Sequence, residues 1–237
     1  MLTPGNLKLG GRLIWGFALP SGTPGASCPG LSPTCRAHCY AVAVGRYRQA
    51  ARARYRRNLR ASRRRDFARR VRAFLVAHRV RVVRVHTGGD FYSARYARKW
   101  LAVMRRARRV HFYFYTRSWR IPAIKAVIDR MGELPNCAAW YSCDADTGVP
   151  PDVPSGVRLA WLAASPGEVV PASVDLVFRV RGLRRRAAAP DGPPVCPAED
   201  GVPRPRRATC DVCGRCWRPE PDSRRAALPV IDPTDRA

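Results

Sequence analysis

Val80-Arg-Val-Val-Arg-Val-His-Thr-Gly-Gly-Asp-Phe-Tyr-Ser93 reads as a strand, a tight turn and the start of a helix. The first half is β-branched, the composition of a buried strand. Two glycines and an acid follow directly. Glycines at the C-terminal end of a strand let a ligand approach the backbone closely. Asp90 beside them can hold an ammonium or a hydroxyl group, or help cap the next helix. Residues 93–108 then take a helical period, with Tyr96, Trp100 and Leu101 facing inward.

The same unit recurs on both sides. Downstream, Val110-His-Phe-Tyr-Phe-Tyr115 is a strand that ends in Thr116-Arg117-Ser118-Trp119, and residues 121–131 are helical in pattern. Cys137-Ala-Ala-Trp-Tyr-Ser-Cys143 is a strand ending in Asp144-Ala-Asp146. Val157–Leu162 and Val174–Phe178 follow, and upstream Leu13–Leu19 is a short buried strand. Between it and Val80 the pattern is helical from Ala41 to His78, with a break expected near Ser62. Tyr47, Ala51, Tyr55 and Leu59 share one face there, and Phe67, Val71, Phe74 and Leu75 another. Strands alternating with helical segments predict an α/β fold with a parallel sheet. About six units predict a partial (β/α)6 barrel with its site at the rim formed by the strand C-termini.

The cysteines fall into two sets. Cys28-Pro-Gly-Leu-Ser-Pro-Thr-Cys35-Arg-Ala-His-Cys39 follows the first strand in a loop rich in turn residues, a poor place to bury thiols as small hydrophobes. Three clustered thiols point to a metal. A structural zinc closes with four ligands, for which His38 is one candidate. An iron–sulfur cluster on three cysteines leaves one iron open. The second set is Cys210-Asp-Val-Cys213-Gly-Arg-Cys216-Trp217, preceded by Cys196-Pro197. This spacing matches ferredoxin-type 4Fe-4S ligation better than a zinc ribbon, which uses two separated pairs. Cys137 and Cys143 lie inside a strand pattern and read as core or site-lining thiols.

The 237 residues suit one large domain with a tail, and a hydrophobic fraction of 46% supports a real core. We divide the chain into a barrel over 1–180, a cysteine-rich region over 181–217 and a disordered end over 218–237. The 44 Lys+Arg exceed the 17 Asp+Glu, a net charge of +27 that points to polyanionic partners. Residues 46–79 alone carry fourteen arginines against one aspartate. They form either a solvated face or a DNA- or RNA-contacting surface with Tyr47 and Tyr55 interleaved. No apolar run is long enough for a membrane span and no signal-peptide pattern opens the chain, so a soluble, cytoplasmic protein is expected.

A set of motifs carries a family resemblance. It comprises Asn6-x-Lys8-Leu9, Phe17-x-Leu-Pro20, Cys28-Pro-Gly with Cys35-x3-Cys39-Tyr-Ala, Gly89-Asp90-Phe-Tyr-Ser93, Tyr115-Thr-Arg-Ser-Trp119 and the Cys210–Trp217 run. Over roughly residues 5–217 the chain resembles the gene product 88 family of actinobacteriophages and bacteria. More distantly it resembles radical S-adenosylmethionine (SAM) proteins. There a three-cysteine loop follows the first barrel strand, and a Gly-Gly-Glu-like motif ends the second. The cysteine spacing here is wider, Asp90 stands for Glu, and the aromatic Tyr40 follows the last cysteine instead of preceding it.

The radical-SAM resemblance implies an open 4Fe-4S cluster on Cys28, Cys35 and Cys39 and an auxiliary one on Cys196, Cys210, Cys213 and Cys216, with zinc as the alternative metal. It implies an electron donor and reductive cleavage of SAM to modify an unknown substrate. Thr87, Gly88, Gly89, Asp90 and Tyr40 would meet SAM, with Asp90 on its ammonium. Thr116, Arg117, Ser142 and Asp144 would line the rim for ribose, carboxylate or substrate. The alternative is a non-catalytic, zinc- or cluster-stabilised nucleic-acid-binding protein.

Overall fold

The computed structural model describes residues 1–11, 13–22, 27–184, 192–200 and 209–218. Seven strands form one open sheet in chain order: β1 (Thr3–Pro4), β2 (Ile14–Ala18), β3 (Val82–Gly88), β4 (His111–Thr116), β5 (Cys137–Cys143), β6 (Val157–Ala163) and β7 (Leu176–Arg179). β1 is antiparallel to β2, and β2 through β7 are parallel to one another. The six expected parallel strands are therefore present. The two-residue β1 lies in a stretch whose polar, turn-rich composition gave no strand signal.

Helices α1 (Pro33–Ala37), α2 (Tyr40–Tyr47), α3 (Gln49–Arg63) and α4 (Phe67–Ala77) connect β2 to β3. α5 (Ala94–Arg106) and α6 (Pro122–Gly132) follow β3 and β4. No helix follows β5 or β6, so the second half of the chain departs from the expected β/α repeat. The helical break comes at residues 64–66, just past Ser62. Ser62 bonds the Leu59 carbonyl at 2.8 Å and Tyr92 Oη at 2.8 Å, and so stays inside α3.

The sheet buries both faces. On the helix side Phe17, Val83, Val85, Phe112, Phe114, Ala139, Tyr141, Leu159 and Trp161 pack with Phe67, Val71, Trp100, Ile128 and Met131. Alternate residues turn to the other side, as the period of two requires. There Ile14, Val82, Tyr113 and Ala138 meet Leu9 and Trp217, while Trp140, Ala160 and Leu176 meet Cys216. The described part of the tail is thus built into the sheet instead of hanging from it. Trp140 Nε1 donates to the Cys216 carbonyl at 3.0 Å, Arg158 donates to the Arg215 carbonyl at 3.0 Å, and Val195 bridges to Val177 beside β7. Of the last segment expected to be disordered, 219–237 lies outside the described residues. Among the described residues no helix is long and apolar enough to cross a membrane.

β3 carries one irregularity. His86 has φ of +63° and the pairing with β2 slips there. Val85 and His86 consequently both enter the helix-side core, a bulge that re-aims the strand's last residues toward the rim.

Candidate functional site

The rim at the strand C-termini gathers the cysteine loop and the ends of β3, β4 and β5. α1 begins at Ser32, whose Oγ caps the Cys35 amide at 3.0 Å, with Pro33 in the first turn. The same hydroxyl donates to Asp144 Oδ2 at 2.5 Å. Asp144 is fully buried at the end of β5, where Arg117 donates to it through Nε at 3.1 Å and Nη2 at 2.7 Å. Arg117 also bonds Ser142 Oγ at 2.8 Å. Gly30 lies so close to this pair that a Cβ there would meet the Arg117 carbonyl oxygen at 2.0 Å. A buried ion pair, fully hydrogen-bonded, therefore pins the cysteine loop to two strands.

Asp90 is the second pin. Its Oδ1 accepts from the Phe91 amide at 2.7 Å and Thr116 Oγ1 at 2.6 Å. Its Oδ2 accepts from the amides of Arg117 at 2.9 Å and Ser118 at 3.2 Å. A carboxylate has about four lone-pair sites, and here four donors use them. Burial pushes its pKa up, while Thr116, the Phe91 and Arg117 amides and Ser118 oppose that shift. Asp90 lies beside Cys28 and Cys35, as expected, but its carboxylate holds β3 to β4. The helix cap falls to Ser93, which accepts from the Tyr96 amide at 3.2 Å.

Gly88 and Gly89 do allow a close approach, and the partner is the protein itself. A Cβ on Gly88 would meet Ala41 Cβ at 2.9 Å. One on Gly89, where φ is +78°, would meet Leu19 Cβ at 2.6 Å and Ser27 Oγ at 2.8 Å. The Asp90 amide donates to the Ser27 carbonyl at 2.9 Å and the Leu19 amide to the Gly88 carbonyl at 2.8 Å. Thr87 turns back on β2, its Cγ2 filling the space left by Gly16. The Gly-Gly-Asp motif thus seats the cysteine loop on the sheet.

The three loop thiols stand on this platform. Burial pushes the Cys28 thiol up to about 12, and the Asp90 carboxylate adds to the effect. Burial also raises Cys35, against the pull of Arg117. Cys39 Sγ lies 3.7 Å from Ser21 Oγ. Beside Cys28 opens a cleft of about 640 Å³, walled by Pro29, Leu31, Ser32, Pro33, Arg36 and Ala37. That volume is within the usual range for small-ligand sites. The spacing of the cysteines gave no hint of Arg36, an exposed cation on this wall.

On the face of the sheet opposite the helices, Cys196, Cys210, Cys213 and Cys216 all line one pocket with Leu176, Pro197, Ala198, Thr209 and Arg215. Burial raises Cys196 to about 11 and also raises Cys210 and Cys216; Arg84 opposes it at Cys210, and Tyr115 at Cys216. Among the described residues no three His, Cys, Asp or Glu side chains converge on a point as the ligands of one metal ion would. Cys137 and Cys143 are buried in the helix-side core, as their strand pattern implied.

The arginines of α3 and α4 face outward; only Arg54 among those of residues 46–79 is half-buried. Asp66, the single acid, pairs with Arg64 at 3.0 Å. Tyr47 is 80% exposed, but Tyr55 packs on Ala18 and Ala51, so the expected pair of stacking tyrosines is reduced to one.

The family model described as Gene product 88 matches residues 2–219. The chain belongs to the gene product 88 family. No curated protein and no solved structure matches it. Every motif of the rim and of the tail-cysteine pocket falls inside the family match.

Proposed function

We propose that this gene product 88 protein is an iron–sulfur enzyme of radical-SAM type, with an open three-cysteine cluster at the rim and a four-cysteine auxiliary cluster on the sheet face opposite the helices. One observation carries the reading. The loop after the first parallel strand brings Cys28, Cys35 and Cys39 to the C-terminal edge of a parallel sheet, against the glycines that end the next strand and beside a ligand-sized cleft. Parallel α/β sheets of this kind bind their ligands at that edge.

The fit of each residue to the cofactors differs. The loop thiols, half-buried on one short loop and free of disulfides, are of the chemistry a cluster takes. The four pocket cysteines suit a second one. Cys28, Cys35 and Cys39 would hold such a cluster, which when bound and reduced would supply one electron to SAM. Asp90, Thr116, Arg117, Ser142 and Asp144 hold the loop in place and are bonded to one another, so they do not suit direct contact with SAM. Arg36 at the cleft wall can meet a carboxylate. Counting metal tests this reading. Anaerobically purified protein is expected to hold iron and sulfide, with Cys35→Ala and Cys213→Ala each losing a separate share. Zinc in place of iron, or one mutation emptying both sites, would overturn it.

The outward arginines of α3 and α4 favour a second reading, a nucleic-acid-binding protein whose cysteines are structural. Its signature is binding to duplex or single strands that weakens steeply with salt, with a slope set by the phosphates contacted. Fluorescence anisotropy at two salt concentrations tests it, and salt-independent or absent binding counts against it.

A further inference from the structure

Arg84 is the one charged residue of β3, and the strand's alternation turns it to the side opposite the helices, between Val83 and Val85, which face them. Its Nε is buried and has no hydrogen-bond partner. Among the described residues no acidic side chain pairs with it. Around the guanidinium stand phenols. Tyr113 Oη is also buried and without a partner. The Tyr115 ring lies 5.5 Å from the Arg84 guanidinium carbon. Tyr40, half-exposed and next to Cys39, faces it from the loop side, and Cys210 faces it from the tail side. An unpartnered cation and an unpartnered hydroxyl thus lie near one another on the face of the sheet that carries the tail cysteines.

A buried guanidinium without a counter-charge is costly, and so is a buried hydroxyl left unbonded. An anionic group accepting from both would relieve both costs. Arg84 is half-buried as a residue, so part of the side chain or backbone remains accessible. Tyr115 Oη, likewise buried and without a hydrogen-bond partner, stands beside Tyr113 as a further donor. Of the other cations on this side, Lys8 is matched by Glu199 at 2.7 Å and Arg158 donates to the carbonyls of Arg215 and Cys216.

We propose that Arg84 Nε and Tyr113 Oη form a binding site for a carboxylate or phosphate group, and that the substrate of the proposed enzyme is a small molecule carrying such a group. The substrate claim rests on the radical-SAM reading; the anion site itself does not. The probes are inorganic phosphate and acetate, titrated calorimetrically into the metal-loaded protein at physiological salt. Saturable binding is expected, weakened about tenfold or more in Arg84→Met and about threefold to tenfold in Tyr113→Phe. The preferred probe tells phosphate from carboxylate. Arg130→Ala on the exposed face of α6 is expected to leave the affinity unchanged.

Tyr113→Phe keeps the ring and guards against a variant that fails to fold. If anion affinity is the same in wild type, Arg84→Met and Tyr113→Phe, the site is wrong. It is also wrong if Arg84→Met instead empties the tail of metal, for the cation then serves the cysteines. Anion binding without SAM cleavage would leave the site standing and remove only the enzyme reading.

Discussion

At the scale of single residues, Asp90 shows how a motif can be legible while its role is not. A Gly-Gly-Asp after a strand suggests a ligand's ammonium, yet the donors that reach this carboxylate come from Phe91, Thr116, Arg117 and Ser118. Those donors arrive from the end of a strand far along the chain, which no local pattern announces. Asp90→Asn keeps the shape but turns an amide NH2 toward backbone N–H groups. The expected loss is about 2–4 kcal/mol of stability, read from the denaturant midpoint, since each buried donor left unmet costs about 1–3 kcal/mol. An unchanged midpoint combined with weakened SAM binding would restore the ligand role.

His86 gives a prediction in pH. Burial lowers its pKa from 6.5 to about 3, and Tyr96 Oη meets its Nε2 at 2.9 Å while Trp100 donates to the same oxygen at 2.8 Å. The folded state thus holds it neutral, while the unfolded chain takes up a proton below the ordinary value. Its contribution to stability is whole above pH 6.5 and falls as pH drops toward 3, by up to about 1.4 kcal/mol per pH unit. His86→Asn removes the titration and tolerates the positive φ. The variant's profile of stability against pH is expected to be flatter between pH 6.5 and 4; matching profiles would contradict this.

At the scale of elements, the six parallel strands were readable because each is a β-branched or aromatic run bounded by turn residues. α5 and α6 were readable from period. α1 was missed although Ser32-Pro33 is a helix-start signal. The β3 bulge was not readable, since a histidine at positive φ leaves no compositional mark. The link between β3 and the loop makes a further test. Gly89→Ala adds a Cβ 2.6 Å from Leu19 Cβ at a φ of +78°. The left-handed conformation alone costs roughly 1–2 kcal/mol. The contact must also push the loop away, so loop-bound iron is expected to fall while tail iron is kept. Equal loss from both sites would place the effect in global folding instead.

At the scale of the whole molecule, the chain divides by face. The outer helices carry much of the +27 charge; the opposite face of the sheet carries the tail cysteines and the buried Nε of Arg84. Sequence order alone suggested a tail hung beside a barrel. The tail's docking depends on Trp217, which is buried against the sheet and donates to the Cys210 carbonyl at 2.8 Å. A single tryptophan in a proline-rich stretch does not say which surface it will cover. The rim was more legible, because the topology of parallel strands brings their C-terminal ends to one edge wherever they lie in the chain.

The most direct test of the central claim is chromatography of 5′-deoxyadenosine from SAM and dithionite-reduced, cluster-loaded protein. Wild type is expected to accumulate it slowly even without a substrate, and Cys35→Ala to produce none while keeping its tail metal. A fully loaded, reduced wild type that neither binds nor cleaves SAM would contradict the account and leave the cysteine loop a structural feature.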